Sequence, residues 1–173
     1  MRLFVALCIG EKEKNVLEQY IIKLKKTGVS GNFSRKENLH FTLAFIGETD
    51  DIDAAVRAMK ATVTEPFAFH LSAPGRFKNG DGGGDTAFLA VDNDVVMRKL
   101  TDLLAENLKK EGFRLENRSF KAHLTLGRGV MGYEKIRDIS APDIEISAKE
   151  MTLMKSERIR GILTYTPVFS KEL

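Results

Sequence analysis

The sequence has few of the residues that build covalent crosslinks. Its 173 residues include one cysteine, Cys8, and no tryptophan. A single thiol excludes an internal disulfide framework and any site built from several thiolates. No stretch approaches the roughly 20 apolar residues that a membrane-spanning helix needs. We interpret the apolar run Leu3–Ile9 as a buried strand and not as a signal peptide, and we expect a cytoplasmic protein without membrane association.

The sequence also has no large excess of positive or negative charge. Lys and Arg number 27 and Asp and Glu number 24, for a net charge of +3. That balance fits a phosphate-bearing partner, but it is far from the strongly basic composition of proteins that coat nucleic acids. An apolar fraction of 43% argues against disorder. The length is typical of one domain, so we expect residues 1–173 to form a single domain.

Hydrophobic periodicity predicts alternating strands and helices. The run Leu3–Ile9 reads as a strand, and Glu11–Thr27 has the apolar spacing of a helix. The remaining predicted elements are strands at Leu39–Ile46, Phe67–Leu71, Thr86–Val91, Lys121–Gly127, Asp143–Met154 and Ile162–Phe169, helices at Asp51–Val63 and from Asn93 or Asp94 to Lys110, a short helical piece near Tyr133–Arg137, and a Gly-rich break over Pro74–Asp85. Pro167 suits a strand at the edge of a sheet.

The two halves of the chain repeat each other at an offset of 83 residues. At this offset Leu3–Ile9 matches Thr86–Asp92, Glu11–Thr27 matches Asp94–Lys110, and His40-Phe41-Thr42-Leu43 matches His123-Leu124-Thr125-Leu126. Three kinds of element agreeing at one offset predict two related β-α-β lobes about an approximate two-fold axis. The fold class is therefore α+β with two sheets, and not a solenoid, which needs three or more short repeats.

Two of the three histidines lie in the repeated motif His-x-Thr-Leu. Strict alternation along the first motif strand puts Leu39, Phe41, Leu43 and Phe45 on one face and His40, Thr42, Ala44 and Ile46 on the other. His123 and Thr125 likewise share a face. A pair of core histidines is the structural alternative, but the repetition disfavours it. We expect the two His/Thr pairs to line an open groove.

These residue types suit chemistry at a phosphodiester. The pKa of imidazole, about 6.5, allows one histidine to act as a neutral base while the other is a protonated acid. On opposite sides of a phosphorus atom, the two could deprotonate a water molecule and protonate the departing oxygen. Each threonine hydroxyl could donate a hydrogen bond to a non-bridging oxygen. This chemistry requires no metal or other cofactor, and the near-symmetric motifs leave open which histidine is the acid.

Other candidate sites are weaker. Two histidines without a carboxylate or thiolate at ligand spacing make a poor zinc site. His70 lacks a threonine two positions later and is predicted to be a surface or structural residue. The glycine-rich loop before Asp85 lacks the Gly-Lys-Ser/Thr ending of a P-loop. Phe45 and Phe77 could stack on a base, although core packing is the usual role of phenylalanine.

Basic residues cluster near both motifs. Arg128 closes the second motif strand, where its guanidinium could reach the same phosphate as the histidines. The others would follow the flanking phosphates of an RNA: Arg35, Lys36, Arg114, Arg118, Lys121, Lys155, Arg158 and Arg160.

Three segments resemble the 2H phosphoesterases, and most closely their LigT-like RNA 2′,3′-cyclic phosphodiesterase branch, also called the 2′-5′ RNA ligase family. They are Arg2-Leu3-Phe4-Val5-Ala6, the stretch from Asn38 to Gly47, and the stretch from Phe120 to Arg128. The resemblance implies a bilobal fold in which two antiparallel sheets flank a central cleft. It also implies that His40 is the proton donor and His123 the proton acceptor, and that Thr42 and Thr125 hold the phosphate.

The resulting hypothesis is a metal-independent enzyme that hydrolyses RNA 2′,3′-cyclic ends to 2′-phosphomonoesters. Three alternatives stay open at this point: a 2′-5′ RNA ligase running the same chemistry in reverse, a phosphodiesterase for small nucleotide cyclic phosphates, and a non-catalytic binder of RNA ends. The expected partner is RNA with a cyclic phosphate end or a nucleotide cyclic phosphate. We expect a monomer without an obligate protein partner.

Overall fold

The computed structural model describes residues 1–116 and 119–173. Within them the chain forms nine strands and three α-helices. The helices are α1 (Glu11–Lys25), α2 (Ile52–Ala61) and α3 (Val95–Lys110). The strands are β1 (Arg2–Cys8), β2 (Ser30–Phe33), β3 (His40–Glu48), β4 (Phe67–Phe77), β5 (Asp85–Val91), β6 (His123–Met131), β7 (Glu145–Ala148), β8 (Glu150–Ile159) and β9 (Ile162–Glu172). Two 3₁₀ turns, Lys36–Asn38 and Tyr133–Lys135, precede β3 and follow β6.

The strands lie in the order β7-β4-β5-β6-β3-β1-β8-β9, with β2 also beside β6. Every pairing is antiparallel. The predicted α+β class is confirmed, but the strands form one curled nine-stranded sheet instead of two separate sheets, and its two halves meet where β3 pairs with β6. That junction is narrow, because a single residue pair, Phe41 with Leu124, joins the two strands. The two halves of the sheet are thus joined at the motif strands.

The repeat seen in the sequence extends through three strand pairs. β1 and β5, β3 and β6, and β4 and β8 each begin 83 residues apart. The correspondence is interrupted at α2, because the equivalent part of the second half contains only the short turn Tyr133–Lys135. The offset also places the motif strands β3 and β6 at equivalent positions on either side of the junction.

One apolar core joins the helices to one face of the sheet. α1 contributes Leu17 and Leu24, and α3 contributes Leu100 and Leu104, all of them fully buried. They pack with the strand residues Leu3, Val5, Leu7, Phe41, Leu124 and Leu126. Burying a leucine or phenylalanine side chain contributes about 1.5–3 kcal/mol. Because the helices cover this face, the opposite face of β3 and β6 is available to polar side chains.

Two strand predictions need correction. β4 continues through Pro74 to Phe77 instead of ending at Leu71, because a bulge between Leu71 and Pro74 accommodates a residue that cannot donate a backbone hydrogen bond. The predicted strand Asp143–Met154 is two strands separated at Lys149, one pairing with β4 and the other with β1 and β9. Pro167 lies on β9, at the edge of the sheet as predicted.

Candidate active site

The junction between β3 and β6 brings the two motifs together. Phe41 and Leu124, which pair across it, are 1% and 0% exposed and face the core. His40 and His123 precede these residues and Thr42 and Thr125 follow them, and all four are partly exposed. Since side chains alternate along a strand, the four lie on the face opposite the helices. The structure therefore gathers the predicted histidines and threonines on one open surface, which we call the cleft face.

Both imidazoles are held by the same kind of hydrogen bond to the backbone. His40 Nδ1 lies 2.7 Å from the carbonyl oxygen of Asn38, and His123 Nδ1 lies 2.6 Å from that of Lys121. A carbonyl oxygen only accepts hydrogen bonds, so each Nδ1 must carry a proton and donate it. That assignment leaves Nε2 of each ring as the atom that can gain or lose a proton. Two titratable nitrogens are thus presented by equivalent strands.

The surroundings of His40 come from several strands. Its Nε2 lies 2.9 Å from the hydroxyl of Thr42. Its ring centre is 5.0 Å from that of Phe4 on β1 and 5.1 Å from that of Tyr165 on β9. Burial lowers the pKa of His40, the Asn38 carbonyl acts in the opposite direction, and the positive charges of His123, Arg128 and Lys14 lower it further.

His123 has a different set of neighbours. Its ring centre lies 5.0 Å from Phe77 and 5.4 Å from Phe88. The ammonium of Lys121 lies over both phenylalanine rings, at 5.6 Å from Phe77 and 4.9 Å from Phe88. Burial lowers the pKa of His123, the Lys121 carbonyl opposes this, and the charges of Arg128 and Lys121 lower it.

A bulge in β3 corrects the predicted faces of that strand. Val5 pairs with Ala44 and Ala6 with Thr42, so Leu43 is the extra residue. Phe45 is consequently opposite Phe4, on the cleft face, and is 57% exposed. The prediction of a core-facing Phe45 and a groove-facing Ile46 was wrong, and Ile46 is 9% exposed. A bulge adds one residue to one strand and shifts the alternation beyond it.

β6 carries the equivalent bulge, and this determines the position of Arg128. Phe88 pairs with Thr125 and Ala87 with Gly127, so Leu126 is the extra residue. Arg128 therefore follows Thr125 on the cleft face and is exposed. Its charge lowers the pKa of both His40 and His123, so the guanidinium lies within electrostatic range of both rings. Arg128 and Phe45 are thus counterparts, related by the offset of the repeat.

Several of the basic residues near the motifs are occupied by local acidic partners. Arg35 pairs with Glu37 at 3.3 Å, Lys36 with Glu11 at 3.1 Å, and Lys155 with Glu157 at 2.7 Å. Arg158 donates to the carbonyl of Gly161 at 2.9 Å. Arg118 lies outside the described residues. These pairings reduce the number of cations that could follow an RNA backbone.

Two residues near the motifs were not identified from the sequence as part of the site. Tyr165 reaches His40 from β9, and this contact spans most of the chain, so no local pattern could reveal it. Lys14 lies on α1 with its side chain 17% exposed, and its charge lowers the pKa of His40. Its spacing from Glu11 indicates only a surface ion pair on a helix, here 3.7 Å long.

The remaining candidates lie apart from this surface. Among the described residues, no three His, Cys, Asp or Glu side chains are placed to hold a metal ion, and no helix is long and apolar enough to cross a membrane. His70 is an exposed residue of β4, in the part that pairs with β7. The glycine-rich loop is tied by its own hydrogen bonds, including Asn79 Nδ2 to the Gly84 carbonyl at 2.8 Å.

Comparison with known proteins gives a consistent result. Residues 17–160 match the model of the 2′-5′ RNA ligase superfamily. The chain is 32% identical to the RNA 2′,3′-cyclic phosphodiesterase of Archaeoglobus fulgidus, over 100% of this chain and 98% of that protein. It is 30% identical to the protein of the same name from Thermotoga maritima, over 90% of this chain and 87% of that protein.

Solved structures share the fold. Apo LigT of E. coli superposes with a TM-score of 0.79 at 22% identity, covering 99% of this chain and 96% of that one. A protein of Thermus thermophilus superposes with a TM-score of 0.77 at 23% identity, covering 100% and 98%. At these identities the likeness extends to the fold alone.

Proposed function

The chain belongs to the 2′-5′ RNA ligase superfamily, the 2H phosphoesterases, and from this premise we propose that it hydrolyses the 2′,3′-cyclic phosphodiester at RNA ends to a 2′-phosphomonoester. One observation carries the proposal. Two imidazoles share the cleft face of adjacent strands, and each is fixed through Nδ1 to a backbone carbonyl, so that Nε2 is the nitrogen that can gain or lose a proton. The names of the relatives supply the class of substrate.

In this mechanism His123 is the general base and His40 the general acid. Neutral His123 accepts a proton at Nε2 from the attacking water as the water oxygen bonds to phosphorus. Burial and the neighbouring Arg128 and Lys121 lower the pKa of His123 and so favour the neutral form that this step requires. The bond between phosphorus and the ribose 3′ oxygen then breaks.

Protonated His40 completes the reaction by giving its Nε2 proton to the departing 3′ oxygen. The products are a 3′ hydroxyl and a 2′-phosphate, and the two rings exchange their protonation states through solvent before the next turnover. Burial lowers the pKa of His40, whereas the Asn38 carbonyl and the negative charge of a bound phosphate oppose this and favour its protonated form. Acid and base catalysis by positioned groups each contribute roughly 10²–10⁴-fold.

Thr42, Thr125 and Arg128 are proposed to hold the phosphate. The two hydroxyls follow the histidines on the same face, where each can donate to a non-bridging oxygen. Arg128 adds a charge-assisted hydrogen bond and stabilises the charge that accumulates on those oxygens as water attacks. Its position within range of both rings supports this role.

A direct test follows the fate of an oligonucleotide that ends in a 2′,3′-cyclic phosphate. We expect the purified chain to give only the 2′-phosphate, identified by ³¹P NMR, with the same rate in the presence of EDTA. The double variant H40A/H123A should bind the oligonucleotide without forming product. Binding by the natural chain that saturates without product would instead indicate a non-catalytic binder of RNA ends.

The superfamily name favours a second activity at the same site. If a 5′ hydroxyl replaces water as the nucleophile, the same pair of histidines forms a 2′-5′ bond without any further group. Incubating RNA halves that carry a cyclic phosphate and a 5′ hydroxyl, and looking for a joined product by gel electrophoresis, tests this. We expect hydrolysis to exceed joining because water is the more abundant nucleophile.

A further inference from the structure

Asn38 forms two hydrogen bonds that link distant parts of the chain. Its backbone carbonyl accepts the Nδ1 proton of His40 at 2.7 Å, and its side-chain nitrogen Nδ2 lies 3.0 Å from the carbonyl oxygen of Leu163 on β9. Since a carbonyl oxygen only accepts, the side-chain amide is the donor of the second bond. Asn38 thus connects β9 to the carbonyl that orients His40.

This connection joins parts of the sheet that would be far apart if the sheet were flat. In the strand order, β1 and β8 lie between β3 and β9. Neighbouring strands are about 4.8 Å apart, so β3 and β9 would be separated by about 14 Å in a flat sheet. The direct hydrogen bond from Asn38 therefore requires the sheet to curl until β9 meets the residues that precede β3.

β9 also contacts the imidazole itself. Two residues after Leu163, the ring of Tyr165 stands edge-on to that of His40, with 5.1 Å between ring centres and 86° between ring planes. Tyr165 also lies 4.9 Å from Phe4, and Phe4 lies 5.0 Å from His40. His40 is thus held by the Asn38 carbonyl and two aromatic rings, and β9 contributes to this arrangement through Tyr165 and through its bond with Asn38.

The equivalent position in the second half has a different side chain. Lys121 takes the place of Asn38, and its carbonyl accepts the Nδ1 proton of His123 at 2.6 Å. Its ammonium lies over the rings of Phe77 and Phe88. An amide bonded to β9 therefore stands beside one histidine, and an ammonium over aromatic rings stands beside the other.

We propose that Asn38 is a positioning residue for the general acid, because its side-chain amide fixes against β9 the carbonyl that orients His40. This inference rests on the proposed function, in which His40 gives its Nε2 proton to the departing 3′ oxygen. A general acid must lie within hydrogen-bond reach of the oxygen that it protonates, and a misplacement of about 1 Å can lower a rate about 100-fold. The amide acts through the imidazole of His40 and not on the substrate itself.

The test compares adenosine 2′,3′-cyclic phosphate with a 4-nitrophenyl phosphodiester, whose nitrophenolate leaves without a proton. N38A removes the amide, and N38D keeps the size of the side chain but has no N–H to donate. Both variants should lower kcat on the cyclic phosphate by about 3- to 10-fold, as the net loss of one hydrogen bond does. On the nitrophenyl substrate both should stay within about twofold of the natural chain. E37A changes an exposed neighbour in the same 3₁₀ turn and should alter neither rate.

A second measurement does not depend on turnover. ¹H–¹⁵N NMR spectra of the imidazoles report how fast each Nδ1 proton exchanges with water. In N38A and N38D the Nδ1 proton of His40 should exchange faster than in the natural chain, because its carbonyl acceptor is no longer fixed. The Nδ1 proton of His123 should keep its rate, since the Lys121 carbonyl is unchanged.

The outcomes separate the inference from the function on which it rests. If the natural chain does not hydrolyse the cyclic phosphate, the proposed function fails, and the NMR measurement still decides whether Asn38 orients His40. Equal losses on both substrates in N38A and N38D would mean that Asn38 supports the site as a whole, and they would overturn the positioning role. Turnover of the cyclic phosphate at the natural rate in both variants would overturn it as well.

Discussion

The two halves of the repeat share one backbone arrangement, but the side chains around their histidines differ. On both motif strands a carbonyl two residues before the histidine accepts its Nδ1 proton, and a bulge after the threonine turns the next exposed side chain onto the cleft face. That exposed residue is Phe45 in the first half and Arg128 in the second. Duplication therefore supplies the geometry, and the side chains that differ between the halves assign the roles.

The neighbours of the two imidazoles differ in the same way. His40 is hydrogen-bonded to Thr42, and its ring contacts that of Tyr165 on the distant strand β9. His123 lies against Phe77 and Phe88, with a lysine ammonium over those rings. An acid and a base need opposite protonation states at one pH, and different environments can favour one assignment of these states over the other. The asymmetry outside the motifs thus distinguishes two histidines that the symmetric motifs leave equivalent.

The largest expected effect comes from removing either histidine. H40A and H123A should each lower kcat on a cyclic phosphate by about 10²–10⁴-fold. They should differ on a 4-nitrophenyl phosphodiester, whose leaving group needs no proton. There H40A should recover to within about tenfold of the natural chain, since only the general acid has become dispensable. H123A should remain impaired on both substrates.

Absorbance at 400 nm follows release of nitrophenolate, and ³¹P NMR follows the cyclic phosphate. Circular dichroism of each variant provides the control for folding. Recovery by H123A in place of H40A would reverse the assignment of acid and base, and with it the side of the cleft on which the ribose lies.

The next effect concerns Arg128, whose charge acts on both imidazoles. R128M should lower kcat/KM about 10- to 100-fold, because a charge-assisted hydrogen bond contributes about 1.5–3 kcal/mol. Arg128 lowers the pKa of both histidines, so its removal should raise both pKa values. The pH profile of kcat/KM rises as the base loses its proton and falls as the acid loses its own. Both limbs should therefore move to higher pH.

R128K provides the matched control, because it keeps the charge while losing the paired donors of a guanidinium. It should keep the limbs of the profile near their natural positions and recover only part of kcat/KM. If R128M lowered kcat/KM at every pH without shifting either limb of the profile, Arg128 would act on the substrate alone.

The sequence predicted the motif strands well because their chemistry is local. Alternation placed His40 and Thr42 opposite Phe41, and the offset of the repeat gave the second strand the same arrangement. The bulge in β3 was not predictable, because Leu43-Ala44-Phe45-Ile46 is apolar throughout and offers no polar residue to mark where the faces exchange. Without the bulge, Phe45 was assigned to the core.

Contacts between distant strands also could not be predicted from hydrophobic periodicity. Tyr165 and His40 lie in separate halves, and their proximity depends on how the β8–β9 hairpin follows β1. The Nδ1 acceptors are backbone carbonyls, so the identities of Asn38 and Lys121 gave no sign of that role. Periodicity reports the face of a side chain, whereas these contacts depend on how the whole sheet is arranged.

A smaller effect is expected where β4 supports His123. A Cβ atom added at Gly75 would lie 2.5 Å from two ring atoms of Phe88, which is 1% exposed and contacts His123. G75A should therefore lower the free energy of unfolding by about 1–3 kcal/mol, as overpacking of a core does. Urea denaturation measures this change. G80A, in open space within the glycine-rich loop, should leave the midpoint nearly unchanged.

Because Phe88 packs against His123 and not against His40, G75A should also disturb the base more than the acid. The acidic limb of its pH profile should move, and the alkaline limb should stay in place. An unfolding midpoint equal to that of G80A would mean that the ring of Phe88 moves aside without cost.

The smallest expected effect comes from a single charge that differs between the two halves. Lys121 occupies the position that Asn38 holds in the first half, and its ammonium lowers the pKa of His123 but is not among the charges that affect His40. K121N makes the two positions alike, so the pKa of His123 should rise and the acidic limb should move to higher pH. The alkaline limb, which reports His40, should stay where it is. K14M is the reciprocal variant, because Lys14 lowers the pKa of His40 and is not among the charges that affect His123. It should move only the alkaline limb to higher pH. If either substitution moved both limbs together, the two histidines would titrate as one coupled pair and the charge difference between the halves would not assign their roles.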